Sequence, residues 1–258
     1  MTAVSSPARL WYQSFVDPMA QQPYIDRLQA YLASITAPGM TCETHGISPP
    51  DQYLHPFTEF RCAATVIRQA QQAGYAGFII GHFQEPGLHE CKATVGIPVL
   101  GLGEATMLYA CLLGRKIGLV TINPVFIPWH EDQVVRYGLQ QRVVGVRVVD
   151  TTVRDYLQAF EDPTAYADVR AQFVHQVEPL LAMGVEVIIP AGGLPMLLFA
   201  REHDFRIGGA PALNGIALVT KMAELAITLQ RLNGTAVSRA AWFAQAPPEA
   251  VQEFLHSQ

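Results

Sequence analysis

Gly77-Phe78-Ile79-Ile80-Gly81-His82-Phe83-Gln84-Glu85-Pro86-Gly87-Leu88 joins a short apolar run to a glycine-bounded loop that carries an imidazole and a carboxylate. Further along the chain, Val185-Glu186-Val187-Ile188-Ile189-Pro190-Ala191-Gly192-Gly193 repeats the design of an apolar run and a glycine turn. Short apolar runs bounded by turns are typical of buried strands in parallel sheets, which bind ligands at the carboxyl ends of their strands. The two stretches therefore predict two strand ends that face one cleft.

Apolar runs alternate with segments of helical periodicity along the chain. The predicted strands are Arg9–Phe15, Met40–His45, Gly77–Gly81, Pro98–Leu100, Lys116–Thr121, Val143–Val149 and Val185–Pro190. The predicted helices are Tyr24–Ala33, Glu59–Ala73, Ala105–Leu113, Val169–Met183 and Asn214–Leu232. Strands that alternate with amphipathic helices are typical of α/β proteins whose parallel sheets are covered on both faces.

The order of strand, loop and helix starts again at Gly114-Arg115-Lys116, which predicts two similar α/β halves. The predicted first half comprises residues 1–115 together with 212–258, because the helical tail is expected to pack back on it. Residues 116–211 form the predicted second half. The last segment, Gly234–Gln258, is predicted to be a turn and a short helix with a docking or oligomer role, and a homo-oligomer is expected.

Composition and charge restrict the class of partner. The chain has 258 residues, half of them apolar, and a net charge of −5 without a basic run, so the pattern of a nucleic-acid binder is missing. No stretch reaches the roughly 18 consecutive apolar residues of a membrane span, and Met1–Ala8 lacks the pattern of a secretory signal. Four cysteines without CxxC spacing argue against a zinc or disulfide framework. A cytoplasmic protein with small-molecule partners, and with no nucleic-acid or membrane partner, is expected.

His82 and Glu85 are the candidate catalytic residues. Histidine has an ordinary pKa near neutrality and serves as a general acid or base, and His82 directly follows a predicted strand. Glu85 lies three residues later in the same loop. The alternatives are that His82 ties loop carbonyls together and that Glu85 caps the helix predicted near Leu88.

The turn at Ala191-Gly192-Gly193 offers successive backbone N–H groups ahead of an apolar helix, and such groups bind carboxylates, phosphates or oxyanions. The alternative is a strand-to-helix turn that needs glycine for its geometry alone. Polar side chains that follow other strands could hold the rest of a polar ligand or could instead cap helices. The predicted substrate-binding residues are Ser14, Asp17, His55, Thr121, Asn123, Ala191, Gly192 and Gly193.

Motifs of other enzyme classes are missing. His55 and Glu59 have the i, i+4 spacing of helical metal ligands. The sequence around them shows neither a third ligand nor a known metal-binding motif, so no metal site is predicted. GxSxG, GxxxxGK[ST] and HExxH do not occur. Gly101-Leu102-Gly103-Glu104 lacks the third glycine of a dinucleotide fingerprint.

The strand-end loops resemble the aspartate/glutamate/hydantoin racemase superfamily, in particular its hydantoin racemase branch. Phe78–Leu88 resembles the family strand that ends in Ala-Cys-Phe-x-Asp-Pro-Gly-Leu, and Ile97–Ala105 resembles its Ile-Pro-Val-x-Gly-x-x-Glu-Ala. Leu113–Thr121 and Val187–Met196 follow in the family order. The resemblance implies two pseudo-symmetric flavodoxin-like halves with parallel sheets, an active site in the cleft between them, and no metal or organic cofactor.

Family racemases use one cysteine from each half, and this sequence departs from both positions. The first cysteine falls on His82 and the second on Ala191, which cannot carry a proton. The leading hypothesis is therefore His82-centred hydrolytic, lyase or decarboxylase chemistry on a small carboxylate or hydantoin-like ring. The alternatives are a racemase that uses His82 as one of two bases and a binding protein that has lost the chemistry.

Overall fold

A computed structural model describes residues 7–257 of the chain. Backbone contacts divide these residues into two compact units. Unit 1 comprises residues 7–81, 85–101 and 219–257, and unit 2 comprises residues 82–84 and 102–218. The half boundaries at residues 115 and 212 stay a prediction, and most of the Met1–Ala8 segment lies outside the described residues.

Unit 1 is built on a four-stranded parallel sheet in the order β2-β1-β3-β4. Its elements up to residue 101 are β1 (Ala8–Gln13), α1 (Gln22–Ile35), β2 (Met40–His45), α2 (Pro56–Ala70), β3 (Gly77–Ile80), α3 (Leu88–Thr94) and β4 (Val99–Gly101). Strand β3 is buried along its whole length. Both of its neighbours run parallel to it, so the carboxyl ends of β1, β3 and β4 meet at one edge, and the His82 loop begins there.

Unit 2 contains a three-stranded parallel sheet in the order β6-β5-β7 and a small antiparallel hairpin. The elements from residue 102 onward are α4 (Leu102–Leu113), β5 (Ile117–Thr121), α5 (Ile127–Arg136), β6 (Val143–Val148), α6 (Val153–Ala159), α7 (Pro163–Ala182), β7 (Val187–Pro190), α8 (Gly193–Phe199), β8 (Arg206–Ile207), β9 (Ala210–Pro211), α9 (Gly215–Asn233) and α10 (Pro248–His256). Helix α9 belongs to unit 1 from Val219 onward, and so does all of α10.

The two sheets share one strand order, in which the first strand of each unit lies between the second and the third. This 2-1-3 order is flavodoxin-like. The predicted fold class of two flavodoxin-like halves with parallel sheets is therefore confirmed. The prediction missed α6. It also missed the β8–β9 hairpin, because two-residue strands have no periodicity that a sequence pattern could reveal.

Each unit has its own apolar core. In unit 2, Phe173 on α7 lies 4.8 Å from the Phe199 ring, measured between centroids, and Phe205 completes the aromatic group. In unit 1, Trp11, Phe78 and Ile80 pack with residues of α2 and α3. The tail helix α9 contacts the unit 1 sheet, since a Cβ placed on Gly77 would meet the side chain of Ile227.

Helix length and hydropathy bear on the membrane expectation. Within the part of the chain that the structure describes, no helix combines the length and the apolar character that a bilayer crossing requires.

Candidate functional site

His82 is the first residue after β3 and belongs to unit 2. Its side chain is half-buried, and its ring meets the ring of Phe126 edge to face with 6.4 Å between centroids. Phe126 ends the 3₁₀ turn that follows β5. The imidazole therefore has an aromatic contact on one side and keeps partial access to solvent, as a group that exchanges protons with a ligand requires.

Three buried side chains form a chain of hydrogen bonds that ends on the carbonyl of Phe83, the residue after His82. Thr121 Oγ1 lies 3.1 Å from His130 Nε2, and His130 Nδ1 lies 3.1 Å from Gln133 Oε1. Gln133 Nε2 donates to the carbonyl of Phe83 at 2.6 Å. The three residues are at most 1% exposed. We call this arrangement the Thr121–His130–Gln133 chain.

The direction of the Thr121–His130–Gln133 chain follows from the Gln133 amide. Because its NH₂ donates to Phe83, its oxygen faces His130, so Nδ1 of His130 carries the proton and Nε2 accepts from the Thr121 hydroxyl. Burial lowers the pKa of His130 to about 4, and the neighbouring His82 adds to this effect, whereas the hydrogen bond to Gln133 opposes it. His130 is therefore neutral at neutral pH and serves as a hydrogen-bond relay.

The lowered pKa of His130 predicts a pH dependence of stability. The unfolded state takes up a proton at His130 near the ordinary pKa of about 6.5, but the folded state does so only near 4. The stabilisation that neutral His130 contributes is therefore fully present above pH 6.5. About 3 kcal/mol of unfolding free energy is lost as the pH falls from 6.5 to 4. Urea unfolding at several pH values should show this loss in the wild type and not in His130→Leu. The exposed His175→Ala should keep the wild-type slope, and equal slopes in wild type and His130→Leu would contradict the assignment.

Glu85 is buried, at 2% exposure, and its backbone has a φ of +59°. The N-cap residue of α3 is Gly87 and not Glu85, and the catalytic role of Glu85 stays a prediction. Its carboxylate lies against Gly101 at the end of β4, where a Cβ would overlap it. A buried carboxylate on a left-handed non-glycine residue is uncommon and marks a position held by its surroundings.

The glycine turn after β7 differs from the predicted anion site. The N–H of Ala191 donates to Val120 at 2.8 Å as part of the sheet, and the N–H of Gly192 donates to Pro190 at 2.8 Å. Two of the three predicted amides are therefore engaged within the protein backbone. Gly193 is the first residue of α8, where N–H groups have no intrahelical acceptor, and its amide stays a predicted anion donor.

The other predicted ligand contacts are engaged in local structure. Asn123 accepts from the Val125 N–H as N-cap of the 3₁₀ turn, and the exposed His55 accepts from the Phe57 N–H as N-cap of α2. Thr121, predicted to contact a ligand, is fully buried on His130. Capping therefore accounts for one ring nitrogen of His55 and for the Asn123 carbonyl oxygen, as the alternative interpretation expected.

Ser14 and Asp17 follow β1 in unit 1. Ser14 is 3% exposed and its N–H donates to His45. Asp17 accepts from the N–H of Met19 and from the hydroxyl of Ser48. The structure thus places His82, Thr121, Asn123, Ala191, Gly192 and Gly193 in unit 2, and Ser14, Asp17, His55 and Glu85 in unit 1.

Burial keeps three of the four cysteines in the thiol form. Burial raises the pKa of Cys42 to about 12 and that of Cys62 to about 11, and it raises the pKa of Cys91 further. Cys111 is partly buried within α4, and its Sγ lies 3.5 Å from the carbonyl oxygen of Met107. Among residues 7–257, no group of three or more histidine, cysteine, aspartate or glutamate side chains is arranged to hold a metal ion.

Sequence reasoning missed His130 and Gln133. Both lie on α5, three residues apart, so they share one helix face, and that face is buried. The sequence signal that could have identified them is the spacing of His130 and Gln133 on one helix face, beside the apolar Val134. Polar residues on the buried face of an amphipathic helix must find partners, and here those partners are a strand end and the His82 loop.

Comparison with known proteins shows the relatives of this chain. The family model of Asp/Glu/hydantoin racemases matches residues 16–223. Hydantoin racemase of Pseudomonas sp. (strain NS671) is 27% identical over 164 residues, and that of Rhizobium meliloti is 29% identical over 162 residues. These matches cover 63% and 61% of this chain. The chain spans 63% of the length of both curated relatives.

Solved structures resemble the fold over nearly its whole length. Allantoin racemase from Klebsiella pneumoniae superposes with a TM-score of 0.74 at 22% identity, covering 93% of this chain and 94% of that one. Allantoin racemase from Pseudomonas fluorescens gives 0.73 at 22% identity, covering 93% of this chain and 97% of that one. At this identity the likeness concerns architecture, and the reaction must be argued from the residues of the site.

Proposed function

This chain belongs to the Asp/Glu/hydantoin racemase family, and we propose that it is a cofactor-independent enzyme that uses His82 as its acid–base group on a small carboxylate or hydantoin-like ring. The supporting observation is the asymmetry of the two strand ends. The end of β3 carries a half-buried histidine, whereas the end of β7 carries Ala191, which is 1% exposed and holds no proton. One-sided proton transfer is the chemistry that this pair of residues supports.

The reaction that suits a single proton-transfer group is of the lyase or decarboxylase type. When a carboxylate leaves as carbon dioxide, the bonding electrons remain on the substrate as an enolate, and protonated His82 returns one proton to that carbon. The N–H of Gly193 is the donor proposed for the enolate oxygen. Hydrolysis uses the same histidine differently, since neutral His82 would then take a proton from the attacking water.

Racemisation is the second candidate, and one observation favours it. Glu85 is a buried carboxylate three residues after His82 in the same loop, and it is the candidate for a second proton-transfer group. The relatives that match in sequence bear the name hydantoin racemase. A racemase of this kind would remove the proton with one group and return it with the other.

Proton exchange separates these chemistries. We expect that incubation in D₂O with a panel of 5-substituted hydantoins, allantoin, amino acids and substituted malonates will yield a product with one deuterium at the carbon that His82 protonates, in a single configuration. Mass spectrometry and chiral chromatography measure both properties. A racemase would instead leave deuterium in substrate of both configurations, and a hydrolase would leave no deuterium in recovered substrate. If the His82→Ala variant still placed deuterium on this carbon, the proposed role of His82 would be wrong.

A further inference from the structure

We propose that Gln133 and His130 are positioning residues of the His82 site, which hold the main chain of the loop through the directional Thr121–His130–Gln133 chain. The inference rests on the proposed function of His82 and names the residues that fix its orientation. Neither residue is proposed to touch the substrate. Both are at most 1% exposed.

The bonds of the chain are continuous from a sheet strand to the loop. Thr121 is the last residue of β5, and Phe83 is the residue after His82, fifty residues from Gln133 in sequence. Each group in between donates toward the loop, and such consecutive hydrogen bonds strengthen one another in a buried environment. The Phe83 carbonyl is thereby linked through buried side chains to β5 of the unit 2 sheet.

A ring contact also holds Phe83 against α5. The Phe83 ring meets the His130 ring edge to face, with 5.2 Å between centroids and an angle of 86°. Phe83 is 1% exposed, so both its carbonyl and its side chain are held by α5. On the other side of His82, the N–H of Gly81 donates to Gln13 at 2.8 Å. Hydrogen bonds hold the main chain on both sides of His82, at Gly81 and at Phe83. The direction in which the His82 side chain leaves the backbone is therefore restricted.

This arrangement makes the donor on Gln133 the decisive group. Gln133→Leu removes the bonds of the side chain to His130 and to the Phe83 carbonyl. Gln133→Glu keeps the shape and can still accept from His130, but an ionised carboxylate donates nothing and would face the Phe83 carbonyl with like charge. If the chain positions His82, both variants should disturb His82 itself, and the isosteric variant provides the test should Gln133→Leu not fold.

Gln29 offers a matched control within the same chain. Like Gln133, it lies on a helix and donates to a main-chain carbonyl, that of Cys42 at 2.9 Å, while its oxygen accepts from the Thr44 N–H at 2.7 Å. Gln29→Leu therefore makes the same chemical change at β2, away from the His82 loop. A general effect of losing a helix-to-backbone glutamine should be equal in the two positions.

The test uses the full chain labelled with ¹⁵N and ¹³C at histidine, with the His82 ring signals assigned by their loss in His82→Ala. We expect the His82 signals to shift or broaden in Gln133→Leu and Gln133→Glu and to stay in place in Gln29→Leu. With the hydantoin or malonate that the deuterium panel identifies, kcat should fall at least tenfold in both Gln133 variants while KM changes less than threefold.

The outcomes are distinguishable from failure of the proposed function. His82 signals that stay in place in both Gln133 variants, or that move equally in Gln29→Leu, would overturn the positioning role. Displaced His82 signals with unchanged kcat would support the positioning role and would show that the proposed function of His82 is wrong.

Discussion

Replacing His82 by alanine is expected to lower kcat by about 10²- to 10⁴-fold, the usual contribution of a positioned general acid or base. The side chain is half-buried and lies against Phe126, so its removal should change the free energy of unfolding by only about 1 kcal/mol. Initial rates on the compound that the deuterium panel identifies, together with urea unfolding, measure both quantities.

The control for this variant is His175→Ala. The His175 side chain on α7 is 78% exposed and lies 3.6 Å from the carboxylate of Glu178 on the same helix. Its loss should leave kcat unchanged. If His82→Ala turned over substrate within threefold of the wild type while ligand affinity changed only modestly, the binding-protein hypothesis would replace the enzymatic one.

Phe173→Ala is expected to destabilise the protein by about 3–5 kcal/mol, as removal of a fully buried phenylalanine leaves a cavity that its neighbours cannot fill. Phe173 is 0% exposed and packs between α7 and the rings of Phe199 and Phe205. Phe199 ends α8, the helix that begins at Gly193, so the same cavity loosens the support of the turn after β7.

Urea unfolding measures this effect against Phe57→Ala. Phe57 lies in the first turn of α2 and is 77% exposed, so its replacement should change the unfolding free energy by less than about 0.5 kcal/mol. Similar losses for the two variants would mean that the α7–α8 core does not carry the stability of unit 2.

Strand positions could be predicted well because they depend on local patterns. β2 was predicted with its observed bounds, Met40–His45, and β3 and β7 differ from their predictions by one or two residues. A strand of a parallel sheet that is buried on both faces must be a nearly continuous apolar run, as β3 and β7 are, and that signal is complete within a few residues. The place of His82 at a strand end follows from the same signal.

Hydrogen-bond assignments could not be predicted, because the partners are far apart in the chain. The three amides at Ala191–Gly193 look alike in sequence, but the sheet takes the Ala191 N–H and the turn takes that of Gly192. Thr121 and Asn123 also look alike as polar residues after a strand. One is buried on His130 and the other caps a turn.

By itself the sequence determined the alternation of strands and helices, the two halves and the family, because local composition and residue spacing carry each of these signals. The tertiary structure alone decided that the amides of Ala191 and Gly192 bond within the backbone, that Gly87 and not Glu85 is the N-cap residue of α3, and that Gln133 donates to the carbonyl of Phe83. The physical reason is that a buried donor or acceptor must be satisfied by whichever group the fold brings near, and Gln133 and Phe83, fifty residues apart in sequence, meet only in the folded unit 2.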